Sequence, residues 1–428
     1  MRLTEDDLYR TSTQYKHWSF TPAQLADQRK TTNISASERV KQNVARKRAA
    51  KAFDTPTASD NGSGVDTNGA NTPLRTVDRE VNCLTVAEEK KLVDTFCERA
   101  LELGTFLNFP TEVTATGIQF LRRFYLFNSP MTYEPQTISR TAMFFANKVE
   151  GAHLTLEKYV ASFPKATAEQ VLAPEYLIVQ GLRFQFQVRH PFHGLKGGHL
   201  EMMEMSRGNA EPLPASEKTK EEIQEELFQL PRKPNGPAQD MTVKQLQGRM
   251  GNAYALASKI LKGPAQLTDA YFLYTPSQIW LAAHLLADEP LTLFYLSTKQ
   301  ALDSPLLQKL LAVIRECAAL LSSHHSYTSD QTSPAEKAAR DKAEKEEVQK
   351  LIKKLKQCRD PDKIDLVKLN QAQKRDAVKS EDGGSGLEES KAKRRKLGRE
   401  KYEKEADEFF GPELGKKNVA VDVETKGV

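Results

Sequence analysis

Hydrophobic positions repeat at helical spacing along much of the chain, most densely between Phe120 and Glu150. Val113, Phe120, Leu121 and Phe124 fall on one face of a predicted helix. Asn128-Ser129-Pro130 ends it, because proline cannot continue a helix and restricts the residue before it. A second helix is predicted to open near Pro135, where proline fits a first turn. Its Ile138, Ala142, Phe145 and Val149 form a stripe, and Met143 and Phe144 carry the apolar surface round most of the circumference. A helix apolar nearly all round is packed by neighbours on every side, so the rest of the chain is expected to be arranged about this one. Lys148 and Glu150, charged residues at the rim of that core helix, are the first candidates for function.

The same spacing predicts helices on both sides. LTVAEEKKLVDTFCERALELGTFL places Leu92, Phe96, Ala100 and Leu103 on one face. A shorter helix is expected from about Leu154 to Ser162, stopped by Pro164. ATAEQVLAPEYLIVQGLRFQF carries Val171, Leu177, Ile178, Leu182 and Phe184 on a broad buried face, with Pro174 either kinking it or joining two pieces. These make five helices with short turns in residues 81–188, a compact all-α unit. An insertion at about 205–240 reads as mostly loop, with a short acidic helix near Glu221–Leu230. Around it, helices are predicted near 195–205 and in VKQLQGRMGNAYALASKILKG, SQIWLAAHLLA, LTLFYLS and LLQKLLAVIRECAALLSS, again five within 189–325. Two sets of similar length suggest a tandem repeat of one all-α unit.

The flanks differ. Residues 1–53 form an N-terminal segment and helix, for which Thr21-Pro22 supplies an N-cap and a first-turn proline. That helix is expected to run to about Phe53, past a weak spot at Thr31–Asn33, and its basic face is read as solvated first and anion-binding second. Tyr15, His17, Trp18 and Phe20 form an aromatic cluster ahead of it, which docks either on the chain's own domain or on a partner. Ser333-Pro334 opens a charged helix over 333–360 whose stripe of Val348, Leu351, Ile352 and Leu355 is too narrow for deep burial. Residues 54–80 and 375–428 lack periodicity and read as a flexible loop and a disordered tail. Thr55-Pro56 and Thr72-Pro73 in the loop match proline-directed phosphorylation, and KAKRRK at 391–396 in the tail fits a nuclear import signal.

Composition narrows the chemistry. Hydrophobic residues are 39% and charged residues 28%, enough for a core beside much solvated chain. A net charge of +5 over 428 residues does not require a nucleic-acid partner. Cys83, Cys97, Cys317 and Cys358 form no CxxC pair, which argues against a zinc finger or a disulfide framework and fits a reducing compartment. No apolar run reaches the roughly 18 residues of a membrane span, and MRLTEDDLYR lacks the features of a secretory signal, so a soluble intracellular chain is expected. GSGVDTNG matches no phosphate-binding loop, and GxSxG, HExxH and HRD motifs are missing. His190, His193 and His199 are not backed by carboxylates or thiolates at ligand spacing. No catalytic residue, metal or cofactor is therefore expected.

Three stretches carry a resemblance: LRRFYLFNSPMTYEPQTISRTAMFFANKVE, YLIVQGLRFQFQVRHPF at 176–192, and LTDAYFLYTPSQIWLAAHLLA at 267–287. With HWSF at 17–20 ahead of the helix at Thr21, they are similar to the cyclin family, in its cyclin H branch, of which the LTDAYFLYTPSQI run is distinctive. The resemblance spans both five-helix sets and the flanking helices, leaving out the 54–80 loop, the insertion and the tail. It implies two tandem cyclin boxes, with the flanking helices packed on the first. It also implies an activating, non-catalytic subunit of the CDK-activating kinase that docks on the kinase's helix αC and activation segment. In the family a lysine ending the first box's third helix and a glutamate early in the fifth form a pair that contacts the kinase. Here they match Lys148 in FFANKVE and Glu175 in PEYLIVQ. Glu150 would add an acidic contact, and Phe144 and Phe145 the desolvated area. Family members commonly have two acids after the lysine, whereas here Glu150 is followed by Gly151. The Met-Arg-x-x-Leu substrate-docking pattern of cell-cycle cyclins is missing from LVDTFCERALEL. The implied partners are a cyclin-dependent kinase catalytic subunit, a RING-finger assembly factor and the TFIIH core. The implied setting is nuclear, without direct nucleic-acid contact, and the substrates are other CDKs and the RNA polymerase II C-terminal repeats. The other reading of tandem boxes is a promoter-binding factor of the TFIIB type. It predicts an N-terminal zinc ribbon, which the sequence lacks, and basic boxes, whereas the basic residues here concentrate outside them.

Overall fold

Every regular element in the structure, a computed structural model that describes residues 9–53, 81–209, 219–234, 236–300, 304–328 and 333–371, is a helix. Helix α1 (Thr13–Trp18) leads into α2 (Pro22–Phe53). The latter runs unbroken through Thr31–Asn33, because the polar side chains there bind the neighbouring chain. Thr32 Oγ1 donates to Leu126 O at 2.8 Å and Asn33 Nδ2 to Leu84 O at 2.8 Å. The aromatic cluster docks on its own domain. Trp18 is 1% exposed and meets Phe127 edge-on at 5.9 Å between ring centroids, with the Arg123 guanidinium 5.0 Å from its ring.

The first set of helices comprises α3 (Val86–Phe106), α4 (Thr111–Phe127), α5 (Pro135–Val149), α6 (Leu156–Ala161), α7 (Ala168–Leu172) and α8 (Glu175–Gly181). Thr85 and Glu88 start α3 with a reciprocal capping box, a feature worth about 1 kcal/mol. Helix α5 is central, as its apolar circumference predicts: Ile138, Met143 and Ala146 are fully buried, and α3, α4, α7 and α8 all pack on it. Close approach to α4 depends on Gly117, where an added Cβ would stand 2.4 Å from Met143 Sδ.

The last predicted helix of this set is two short ones, α7 and α8, meeting at Ala173-Pro174. It also stops earlier than expected. Arg183 and Phe184 adopt left-handed backbone conformations (φ 55° and 58°), which end the helix and turn Phe184 outward to 57% exposure. Phe186 packs inside in its place, 5.0 Å from the Phe145 ring and 6.5 Å from Phe120.

The second set comprises α9 (Phe192–Ser206), α10 (Lys220–Phe228), α11 (Val243–Lys262), α12 (Pro264–Leu267), α13 (Ala270–Leu273), α14 (Pro276–Ala287), α15 (Glu289–Ser297), α16 (Pro305–Ser322) and α17 (His325–Thr328). They enclose a separate core of Leu195, Met202, Leu246, Met250, Ile279 and Leu291 among others. The acidic helix of the insertion is part of it, since Ile223 and Leu227 of α10 are buried there.

Helix α18 (Pro334–Gln357) lays Leu351 and Leu355 against Leu84, Leu92, Met131, Ala36 and Val40, and its Val348 is buried as well. Its stripe is narrow, as predicted, yet more deeply buried than expected because α2 and α3 form a groove around it. Among the described residues no helix is long and apolar enough to cross a membrane. The described residues 365–371 belong to a second unit. The loop 54–80 with Thr55 and Thr72, and the tail with KAKRRK, lie outside the described residues.

One ionic network joins the two sets. The carboxylate of Asp269, between α12 and α13, accepts hydrogen bonds from Arg29 at 2.9 and 2.6 Å and from Arg122 at 2.7 Å. Arg122, with its side chain 2% exposed, also reaches Asp94 at 2.9 Å and Leu267 O at 3.2 Å. Burial disfavours both charges, but the Arg29 hydrogen bond and the two guanidinium charges outweigh it and hold Asp269 well below the usual carboxylate range. The LTDAYF run is thus fixed to the N-terminal half through its aspartate.

Candidate functional site

Lys148 lies in the last turn of α5, where the helix dipole favours a cation, and Glu175 opens α8, where it favours an anion. The two meet. Lys148 Nζ is 2.8 Å from both carboxylate oxygens of Glu175, and the same ammonium sits 4.8 Å from the Phe144 ring centroid. Their side chains are 44% and 25% exposed. A pair this open adds at most about 1 kcal/mol to stability. What it does supply is orientation: two charged groups held side by side at the surface with spare hydrogen-bonding capacity facing outward.

Phe144 and Phe145 do not offer the contact area expected of them. They are 3% and 7% exposed, Phe144 against Tyr159 at 5.2 Å and Phe145 against Phe120 at 5.6 Å, so they hold α5 in place from inside. The exposed apolar surface beside the pair comes instead from Tyr176 (64%) and Leu172 (38%). The sequence does contain their signal: both fall off the buried face that Val171 and Ile178 define. An exposed tyrosine beside an oriented charge pair is the composition of an interface hot spot.

Glu150 caps α5 and ends a chain of polar contacts reaching inward. Its carboxylate accepts from Thr116 Oγ1 at 2.7 Å, and Thr116 Oγ1 is 2.8 Å from His190 Nε2. His190 Nδ1 in turn lies 3.0 Å from the Tyr271 hydroxyl. Burial, with the nearby Arg123 charge, pushes His190 down to about 3, so its ring is neutral and serves as a hydrogen-bond relay between the two helical sets. His199 lies tilted against Tyr254 at 4.7 Å between ring centroids, and the structure does not gather His190, His193 and His199 into a ligand cluster. Among the described residues the one group of that kind is Glu98, His324 and His325, which no sequence spacing connects.

The cyclin C-terminal domain model matches residues 190–322. Cyclin CCL1 of Saccharomyces cerevisiae is 30% identical over 298 residues, 70% of this chain and 62% of its own length. Cyclin-H1-1 of Arabidopsis thaliana is 26% identical over 283 residues, 65% of this chain and 70% of its own. The chain thus spans less than two thirds of the yeast cyclin. A chain in the structure of the CAK complex from Chaetomium thermophilum bound to ATP-γ-S matches with a TM-score of 0.64 at 30% identity, covering 90% of this chain and 99% of that one. With likeness of that extent, an all-helical architecture and two helical cores, the chain belongs to the cyclin family.

Proposed function

We propose that the chain is a cyclin H-type regulatory subunit, which binds and activates the catalytic kinase of a CDK-activating complex. The observation that carries this reading is the likeness, over 90% of the chain, to a chain of the CAK complex. The two boxes are set at 81–188 and 189–325. A kinase transfers phosphoryl groups only when its αC glutamate pairs with its strand-β3 lysine. A protein that binds the αC-in state more tightly populates that state by its differential affinity. Lys148 and Glu175, already paired and at the surface, meet the kinase without first losing much side-chain freedom, and Tyr176 and Leu172 give the apolar area around them. Glu150 stands at the edge of this surface. The chemistry remains the kinase's, and the cyclin's part is non-catalytic. By the same family likeness the assembly includes a RING-finger factor and the TFIIH core, works in the nucleus, and acts on CDK activation segments and polymerase II C-terminal repeats.

The test mixes the purified chain with the catalytic subunit and follows co-elution and phosphorylation of a polymerase-repeat peptide. Stable co-elution and strong stimulation are expected. Changing Lys148 and Glu175 together to Ala should reduce stimulation at least about tenfold, at a stability cost of no more than about 1 kcal/mol. A folded chain that neither co-elutes nor stimulates would rule the reading out.

A further inference from the structure

We propose that Glu98, His324 and His325 form a binding site for Zn(II), or a similar borderline divalent ion, which clips the first helical set to the end of the second. Glu98 projects from α3, His324 lies in the turn after α16, and His325 opens α17. Glu98 Oε1 is 3.3 Å from His325 Nε2 and 3.7 Å from His324 Nε2, and the three ligand atoms lie within 4.8 Å of one another. These separations exceed the usual N–H···O hydrogen bond. They approach the edge of a tetrahedron built on metal–ligand bonds of about 2.0–2.1 Å, which is roughly 3.4 Å. The two imidazoles face each other with centroids 4.3 Å apart, which brings both Nε2 atoms to the same carboxylate oxygen.

Two imidazoles and a carboxylate are a donor set suited to zinc, with the fourth position left to water. The surroundings favour a cation. Glu344, Asp94 and Glu102 act on Glu98, and each positive group near the cluster already has a carboxylate partner: Lys91 pairs with Glu344, Arg340 with Asp341, and Lys90 and Arg122 with Asp94. Side-chain exposures of 24% for Glu98, 14% for His324 and 36% for His325 leave the site half-shielded but open to entry. A second layer is present as well. With the metal on Nε2, the His324 ring carries its proton on Nδ1, 2.8 Å from Ser326 Oγ, which accepts it and fixes the ring; the 3.2 Å contact from the Ser326 backbone N–H is given up. None of these residues belongs to the proposed kinase surface, so the site stands independently of that reading.

The test titrates Zn(II) into the full-length, untagged, metal-stripped chain by calorimetry. One equivalent is expected to bind and to raise the thermal midpoint. Glu98→Gln and His325→Ala should each weaken binding more than tenfold, and Ser326→Ala by about tenfold, the cost of a lost outer-shell partner. His193→Ala should leave it unchanged. Co(II) in place of zinc should give the visible bands of a tetrahedral nitrogen–oxygen site, a readout on the native chain that does not depend on any variant folding. The proposal is overturned by no binding, by binding that survives Glu98→Gln with His325→Ala, or by a thiolate-to-cobalt band, which would place the metal on cysteines such as Cys83 or Cys358.

Discussion

Glu89 brings a carboxyl into the contact between α3 and the turn at Ser129, where it is 8% exposed and its hydrogen-bonding partners, Ser129 and Asn33, are neutral. Burial disfavours its charged form and pushes it up to about 7 from an ordinary 4.5. Between those values the folded state keeps the proton and the unfolded chain does not. The contribution of this group to stability is therefore highest below about pH 4.5, falls as pH rises toward 7 and is level above, a change on the order of 3 kcal/mol. Glu89→Gln removes that slope. The variant should match the wild type at pH 5 and exceed it at pH 8 in urea midpoint; parallel pH profiles for the two would contradict the assignment. At this scale the sequence is informative where a residue's place follows from one helix and silent where it depends on several. Lys148 and Glu175 could be paired by family likeness alone. Phe144 and Phe145 could not serve both as core and as contact area, and a helix apolar all round has no free face, so the periodicity already held the answer that the structure gives. Glu98 and His324 are far apart in the chain, and no spacing rule links them.

Among the elements, helix interiors were legible and their ends less so. The apolar stripes of α3, α4, α5, α11 and α16 read directly from the sequence because each is long enough for the period to repeat. The break at Pro174 left two options, and the early stop at Gly181 was hidden because Arg183 and Phe184, rather than glycines, take the left-handed turn. The N-terminal segment shows how docking replaces periodicity. Residues 13–18 make fewer than two turns, too short to be stable alone. Trp18 anchors them, with Gln14 Oε1 accepting from Arg189 N at 2.7 Å and Phe20 N donating to Phe272 O at 2.8 Å. Trp18→Ala should cost about 3–5 kcal/mol of docking. Hydrogen exchange is the measurement: amides of residues 9–20 should lose most of their protection while those of α11 keep theirs. Equal protection in both proteins would mean that the segment is held by something other than the indole.

For the whole molecule, the question is what makes two helical cores behave as one. Apolar contact between the sets includes the cluster around Phe20, Phe272 and Leu126, and the Asp269 network reaches α2, α3 and α4 at once. A buried carboxylate shared by two guanidinium groups contributes little relative to an apolar replacement of the whole cluster, but removing one member strands the others. Asp269→Ala leaves Arg122 buried with Asp94 as its remaining carboxylate, and a loss of about 3–5 kcal/mol at pH 7 is expected. Arg29→Ala, at a site with its side chain 21% exposed, should cost less. The pH dependence gives a second check. Because Asp269 is held below its unfolded value of 3.8, its contribution is present above that value and is lost as pH falls through the folded one. The stability gap between wild type and Asp269→Ala should therefore be constant from pH 5 to 8 and narrow below about pH 4. A gap smaller than about 1 kcal/mol at neutral pH would place the coupling between the cores in the apolar contacts, and the aspartate of LTDAYF would then need another explanation.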